Sequence, residues 1–435
     1  MRLSTSLRLN AQKGLVTPYD PALTLDLQFA ARQAYVANIG PLPTFTNLTT
    51  TARTFVGSDG LIQTAATNVP RIDFDPVTRL CRGLLIEEQR TNSQSRSEEF
   101  GNASWSKGAL TVTDNSSIAP DGATTADLIS ETATSAQHSV FQGSPAGVTT
   151  GTAYTASVFV KKGTGATAPD WIQLGFLTGG FGTVRAAFNV STGLFGNTTG
   201  SPSTSVTAYQ NGWYRISITG TATATAAWGT LVLAFTNNAN VSASVPTYTG
   251  QTTSDVFVWG AQFEAGAFAT SYIPTTTGSL IRSADVCSIT GAAFTGFYNA
   301  TEGTMVCKYD RAGTASETHF CIDNGTANER LVLQFSGVVE RFGASIGGAG
   351  ANLDSATVGA INTRIGHAAR YKLNDYAFCC NGTTVVTNTT LAVPTVTQAT
   401  IGNRTNGLFT NGHIYAIQYY NTIKTNAQLQ ALSTP

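Results

Sequence analysis

Charge is scarce in this 435-residue chain: Lys, Arg, Asp and Glu make up 11% of it, where an average soluble domain carries roughly a quarter. Its 25 basic residues balance 25 acidic ones, so no basic stripe marks a nucleic-acid protein. No run of about 18 apolar residues occurs, which removes the signature of a membrane-spanning helix. The opening residues, Met1-Arg2-Leu3-Ser4-Thr5-Ser6-Leu7, lack the apolar stretch of a signal peptide, and assembly in a cytoplasm is expected. Asn-x-Ser/Thr triplets such as Asn197-Thr198-Thr199 then read as polar loops. The six cysteines (Cys81, Cys287, Cys307, Cys321, Cys379 and Cys380) form no CxxC pair and no Cys/His zinc spacing. Buried free thiols are the expectation. Stretches of Ala, Leu, Glu and Lys are few, so long helices are not expected.

What is present is Thr, Ser, Asn and 43 Gly, arranged as short apolar strands between turn clusters. Leu23, Leu25, Leu27 and Phe29 alternate with polar residues, a period of two that predicts a strand. The rest of residues 1–90 reads as an extended arm that folds against a partner. Residues 91–284 carry strand candidates at Thr155–Lys161, Ile172–Phe176, Tyr214–Ile218 and Val256–Trp259, the pattern of a β-sandwich. Only seven charged residues lie between 151 and 280: Lys161, Lys162, Asp170, Arg185, Arg215, Asp255 and Glu264. Residues 285–435 predict a second sandwich. In it, His319–Ile322 and Leu331–Phe335 form one hairpin. Tyr376–Cys380 and Val385-Val386 form another, around Asn381-Gly382, whose residues accept the positive φ of a tight turn. A last strand, His413–Tyr420, precedes a short helix from Asn426 to Leu432. The fold class is thus all-β: an N-terminal arm, then two antiparallel β-sandwiches.

Three stretches resemble proteins of tailed bacteriophages. Ser58–Ala66, Val69–Thr78 and Arg82–Asn92 resemble the N-terminal signature of phage fibre and head-spike-like structural proteins, and run on into Ser97-Glu98-Glu99-Phe100 and Trp105. Gly212-Trp213-Tyr214-Arg215, Trp259–Glu264 and Thr270–Thr275 are similar to the far end of a carbohydrate-binding jelly roll. Ile401-Gly402-Asn403, Asn411–Ile414, Tyr419-Tyr420 and Gln428–Leu432 look like the end of a concanavalin/laminin-G-like sandwich. Where the phage signature usually continues through an apolar stretch, this chain has Ser93-Gln94-Ser95-Arg96. The resemblance implies a virion protein docked to other virion proteins through its N-terminal region, a homotrimer, and adhesion to host-surface polysaccharide. A purely architectural cement protein and a polysaccharide depolymerase are the alternatives.

Little catalytic chemistry is expected. A glycosidase needs two carboxylates about 5–10 Å apart. Glu87-Glu88 and Glu98-Glu99 are the acidic doublets, and neighbours on a strand point to opposite faces. Gly343-Ala344-Ser345-Ile346-Gly347 spells a nucleophile elbow, but without the helix that motif needs it reads as a glycine-rich loop. Asp73 and Asp75 read as a turn in preference to a Ca²⁺ site. His413 reads as a hydrogen-bonded, half-buried strand residue. No catalytic residue, metal ligand or cofactor is therefore assigned. Sugar recognition remains, since aromatic rings stack on pyranose faces and polar side chains take the hydroxyls. Trp171 with its neighbour Asp170, and Trp228, are the candidate glycan contacts, while Trp213 and Trp259 are assigned to the core.

Overall fold

A computed structural model describes residues 20–47, 52–144, 147–177, 179–227, 229–236, 244–404 and 407–435. The chain divides into two compact units, one formed by Phe45–Asp285 and one by the residues up to Thr44 together with Val286–Pro435. This replaces the three-part reading with its break at residue 90. Alternation made Leu23–Leu27 a strand, and burying Leu25 and Leu27 requires a sheet to join. The strand pairs antiparallel with Gly412–Tyr420, Leu23 opposite Tyr420 and Leu27 opposite Ile417. Phe29 leaves the strand, opens the one-turn helix Phe29–Arg32 and stacks on Tyr35 at 5.4 Å. From residue 20 to 44 the supposed arm is thus a sheet edge of the C-terminal sandwich, while residues 1–19 lie outside the described residues.

The unit Phe45–Asp285 is a jelly roll. Its eight principal strands, in chain order, are Ala126–Glu131, Ser139–Ser144, Ala153–Lys162, Trp171–Leu177, Val184–Asn189, Tyr214–Thr221, Gly229–Thr236 and Asp255–Ala265. One sheet orders them first, eighth, third, sixth, and the other second, seventh, fourth, fifth. That interleaving is two Greek keys wrapped on each other. Leu110–Ser117 and Ser203–Ala208 extend the first sheet; Ser106–Gly108 and Leu194–Thr199 extend the second. Ile172, Leu174 and Phe176 meet Val158, Val160 and Ile218 between the sheets. Since strand side chains alternate, Trp171, Gln173 and Gly175 occupy the opposite, outer face.

The other unit stacks two antiparallel sheets. One runs Ala37–Ile39, Leu23–Leu27, Gly412–Tyr420, Glu302–Tyr309, Ile365–Lys372, Tyr376–Cys380, Val386–Asn388. The other includes Ala349–Asp354, Glu340–Ile346, Arg330–Phe335, Glu317–Asp323, Gln398–Ile401 and Val286–Thr290 in that order. Both anticipated hairpins form, Ile322 opposite Leu331 and Phe378 opposite Val386. Asn381 and Gly382 take φ of 50° and 69°, and Thr383 N donates to the Cys380 carbonyl at 3.0 Å. The helix Asn426–Leu432 starts at a Thr425/Gln428 capping box and buries Leu429 against Val306, Ala368 and Tyr420. All six cysteines are free thiols, five of them buried.

Candidate functional site

Arg71 and Glu87 join Arg53, Arg282 and Asp285 in a buried ionic network. Arg71 reaches Glu87 at 2.7 Å and Asp285 at 2.5 Å, and Arg282 reaches Glu87 at 2.9 Å. Arg53 approaches Asp285 at 3.4 Å and donates to the Ala66 and Val69 carbonyls. Ser271 donates to Glu87 through both N and Oγ, each at 2.7 Å. Asn92 donates to the Ala261 and Ile273 carbonyls. All three arginines are fully enclosed. In a chain so poor in charge, these groups serve to tie residues 45–92 and 271–285 to the sandwich. The remaining acids of the doublets are similarly occupied: Glu88 pairs with Arg90 at 2.6 Å, Glu99 with Arg96 at 3.0 Å, and Glu98 accepts from Tyr272 at 2.9 Å.

Trp171 opens its strand at the end of the second jelly-roll sheet and is half-buried. Its cross-strand neighbours are Asn189 on one side and Thr236 on the other. Leu194, 64% exposed, is opposite Asn189 one strand further. Asp170 is exposed but engaged: Lys162 Nζ lies 2.6 Å away and Ser191 Oγ 2.5 Å, contacts that lower its pKa. Trp171 shares its face with Asn189. Trp228 lies outside the described residues. Trp213 and Trp259 are core residues, each 1% exposed. Two further residues of the outer face, Gln173 and Arg185, are buried, Gln173 between Ala187 and Ala234 and Arg185 opposite Gly175. Arg185 stood out in the sequence as one of very few charges; nothing in the sequence marked Gln173.

No protein-family model matches this sequence, and no curated protein does. The chain is similar to solved β-sandwich proteins. The CBM40 of the Ruminococcus gnavus IT-sialidase, bound to α2,3-sialyllactose, is 17% identical with a TM-score of 0.28, over 32% of this chain and 84% of that one. The same module bound to α2,6-sialyllactose gives 17% and 0.27, over 31% and 84%. Domains LG4-5 of the mouse laminin α1 chain are 8% identical with a TM-score of 0.24, over 82% of this chain and 93% of that one. At such scores the similarity carries no argument about what this chain binds, so its own residues must.

Among those residues, one cluster has the composition of a catalytic site. Tyr309 Oη donates to Glu340 at 2.5 Å, His367 Nε2 lies 3.1 Å from the same carboxylate, and His319 stacks on Tyr309 at 3.5 Å. All four side chains are fully enclosed between the sheets of the C-terminal sandwich. The cluster is a core element, with a pH consequence. Burial, then His367 and Arg311, hold His319 well below its ordinary 6.5. The folded state keeps it neutral while the unfolded chain protonates it near 6.5. Its stabilising effect is complete above that pH and is lost as pH falls below it. His319→Gln should flatten the fall of melting temperature between pH 7.5 and 5.5; calorimetric slopes equal to those of the parent would refute this.

The other motifs resolve structurally. Gly343–Ile346 belongs to the strand Glu340–Ile346, paired on both sides, which corrects the loop reading. Asp73 accepts from Val56 N at 2.6 Å, and Asp75 caps Val77 N and Thr78 N. His413 bonds Asp310 at 3.0 Å. Among the described residues, no group of three or more His, Cys, Asp or Glu could hold a metal, and no helix is long and apolar enough to cross a membrane.

Proposed function

We propose that this chain is a non-catalytic structural protein of a bacteriophage virion, a fibre, spike or head-decoration subunit that adheres to host-surface glycans. In this reading the Trp171 end of the second jelly-roll sheet is the adhesive surface. The observation that carries adhesion is the half-buried ring of Trp171 beside Asn189 at the end of a rigid sheet, an aromatic platform next to a hydrogen-bonding amide. The virion assignment is supported by the signature residues Arg71, Glu87 and Asn92, which hold the unit Phe45–Asp285 together. Docking through the N-terminal region and a homotrimer belong to the same proposal, with weak single-site binding multiplied by copy number.

Glycan-array and host-cell binding by the intact chain and by Trp171→Ala test it. Loss of the ring should weaken binding about tenfold, the equivalent of roughly 1.4 kcal/mol, with an unchanged melting temperature. Binding that survives the substitution intact would remove Trp171 from the surface. A chain that binds no glycan and fails to incorporate into particles would sink the whole reading; incorporation without binding would favour the architectural one.

A further inference from the structure

A strand at the end of a sheet presents a row of backbone N–H and C=O groups to any chain that comes alongside. Folded proteins blunt such edges by shortness, charge, proline or a bulge. In the larger sheets, among the described residues, all end strands but one are blunted. Ala37–Ile39, Thr44–Thr46, Ile72–Phe74, Ser106–Gly108 and Val386–Asn388 are three residues long. Leu110–Ser117 carries Asp114, and its register breaks between Thr113 and Ser117, with Asn115 at φ 54°. The register of Leu194–Thr199 breaks between its partners Ala186 and Phe188. Ala349–Asp354 ends on Asp354, which Arg341 holds at 2.6 Å.

Ser203–Ala208 has none of these devices. It ends the first jelly-roll sheet and pairs in unbroken register with Tyr214–Thr221, Ser203 opposite Thr219 and Ala208 opposite Tyr214. Its sequence, Ser-Thr-Ser-Val-Thr-Ala, has no charge and no proline, and residues 186–214 as a whole hold no Lys, Arg, Asp or Glu. Thr207 is half-buried and every other residue of the strand is exposed. Alternate residues of an antiparallel strand turn N–H and C=O to the same side, so half of these backbone groups point away from Tyr214–Thr221. Thr204 and Val206 are opposite Ile218 and Ile216, both core residues, which puts them at the lip of the interior. Val206 is nevertheless 38% exposed.

We infer that Ser203–Ala208 is an interface strand whose partner is the same strand of a second copy of this chain, added antiparallel about a twofold axis. A neutral edge meets its own copy without like-charge repulsion, and an antiparallel strand is complementary to itself. An axis normal to the sheet keeps every side chain on its own face, so the register must centre on a residue and not between two. Centred on Val206, it sets Val206 against Val206, Ser205 against Thr207 and Thr204 against Ala208. That register covers the one large apolar side chain of the strand. A single-strand contact is smaller than the roughly 800 Å² per partner of a standard interface. The pairing is therefore weak in solution and gains strength where copies are held together on one particle. It is independent of glycan adhesion, and pairing in twos is compatible with a threefold contact elsewhere on the chain.

Oxidative cross-linking of the full chain tests both the contact and its register. Val206→Cys places two sulfurs across the axis, where opposite Cα atoms are about 4.5–5.5 Å apart, within disulfide reach. Thr204→Cys is offset from its counterpart by about four residues of strand, roughly 13 Å, which is out of reach. Val206→Cys should therefore give a covalent dimer on a non-reducing gel, about tenfold more than Thr204→Cys or the parent, whose own thiols set the background. In sedimentation equilibrium the parent should double in mass as its concentration rises to about 100 µM. Ser205→Lys, at an exposed position, should abolish the doubling and leave the melting temperature unchanged. Equal cross-linking of the two cysteine variants would overturn the inference, as would a Ser205→Lys variant that associates like the parent. A parent of constant mass with no Val206→Cys dimer would leave this edge to a strand of some other chain, and would also overturn it.

Discussion

Glu87→Gln should destabilise the chain by about 3–5 kcal/mol, the usual cost of removing one member of a buried ion pair. Glu87 takes Arg71 at 2.7 Å, Arg282 at 2.9 Å and two bonds from Ser271. Arg71 would retain Asp285, but Arg282 would keep only the Ser271 hydroxyl and the Glu88 carbonyl. An uncompensated guanidinium would then remain in an enclosed site. A drop of this size is a large part of the ~5–15 kcal/mol that holds a domain folded. The same carboxylate makes the unit acid-sensitive. Burial pushes its pKa up, but Arg282 and Arg71 outweigh that and leave it at about 2, against an ordinary 4.5. The unfolded chain therefore binds the proton first. The stabilisation, roughly 3 kcal/mol, is complete above pH 4.5 and disappears as pH falls toward 2. Denaturant unfolding at pH 7 and at pH 3 measures both effects. A variant within 1 kcal/mol of the parent at pH 7 would mean that the network contributes little.

Trp259→Ala should cost a comparable ~3–5 kcal/mol, by cavity formation instead of charge. Its ring meets Phe159 at 5.2 Å and Tyr272 at 4.7 Å, and its Nε1 donates to Thr125 Oγ1 at 3.0 Å. The backbone cannot easily close the gap. Gly260 follows at φ 64°, and any Cβ there would meet Phe159 at 2.8 Å. At about 2–4 °C per kcal/mol for a unit of this size, the melting temperature should fall on the order of 10 °C. Trp171→Ala removes the same side chain from a half-buried position and should leave the melting temperature in place. Equal thermal losses in the two variants would contradict the separation of core from surface tryptophans.

How far the sequence could be read depended on distance along the chain. Asn381-Gly382 named its own turn, because only residues tolerant of positive φ fit there. The short last helix was expected at Asn426–Leu432, and the capping box that starts it, Thr425 with Gln428, spans only three residues. Period-two alternation located Leu23–Leu27. The resemblance to a jelly roll placed Trp213 and Trp259 in the core, where both are 1% exposed, while Trp171 is half-buried. Arg185 could be counted as a rare charge, but nothing local revealed that it would be enclosed opposite a glycine with no acid nearby.

Strand identity, tight turns and the all-β class were thus determined by the sequence itself, since φ preference and side-chain alternation act over a few residues. Partner choice was decided only by the tertiary structure. Leu23–Leu27 joins a strand nearly 400 residues later, and Arg71 finds Asp285 across 214 positions. Such pairings depend on which sheet edges and buried charges remain unmatched once every other strand has docked, a condition that no local pattern encodes.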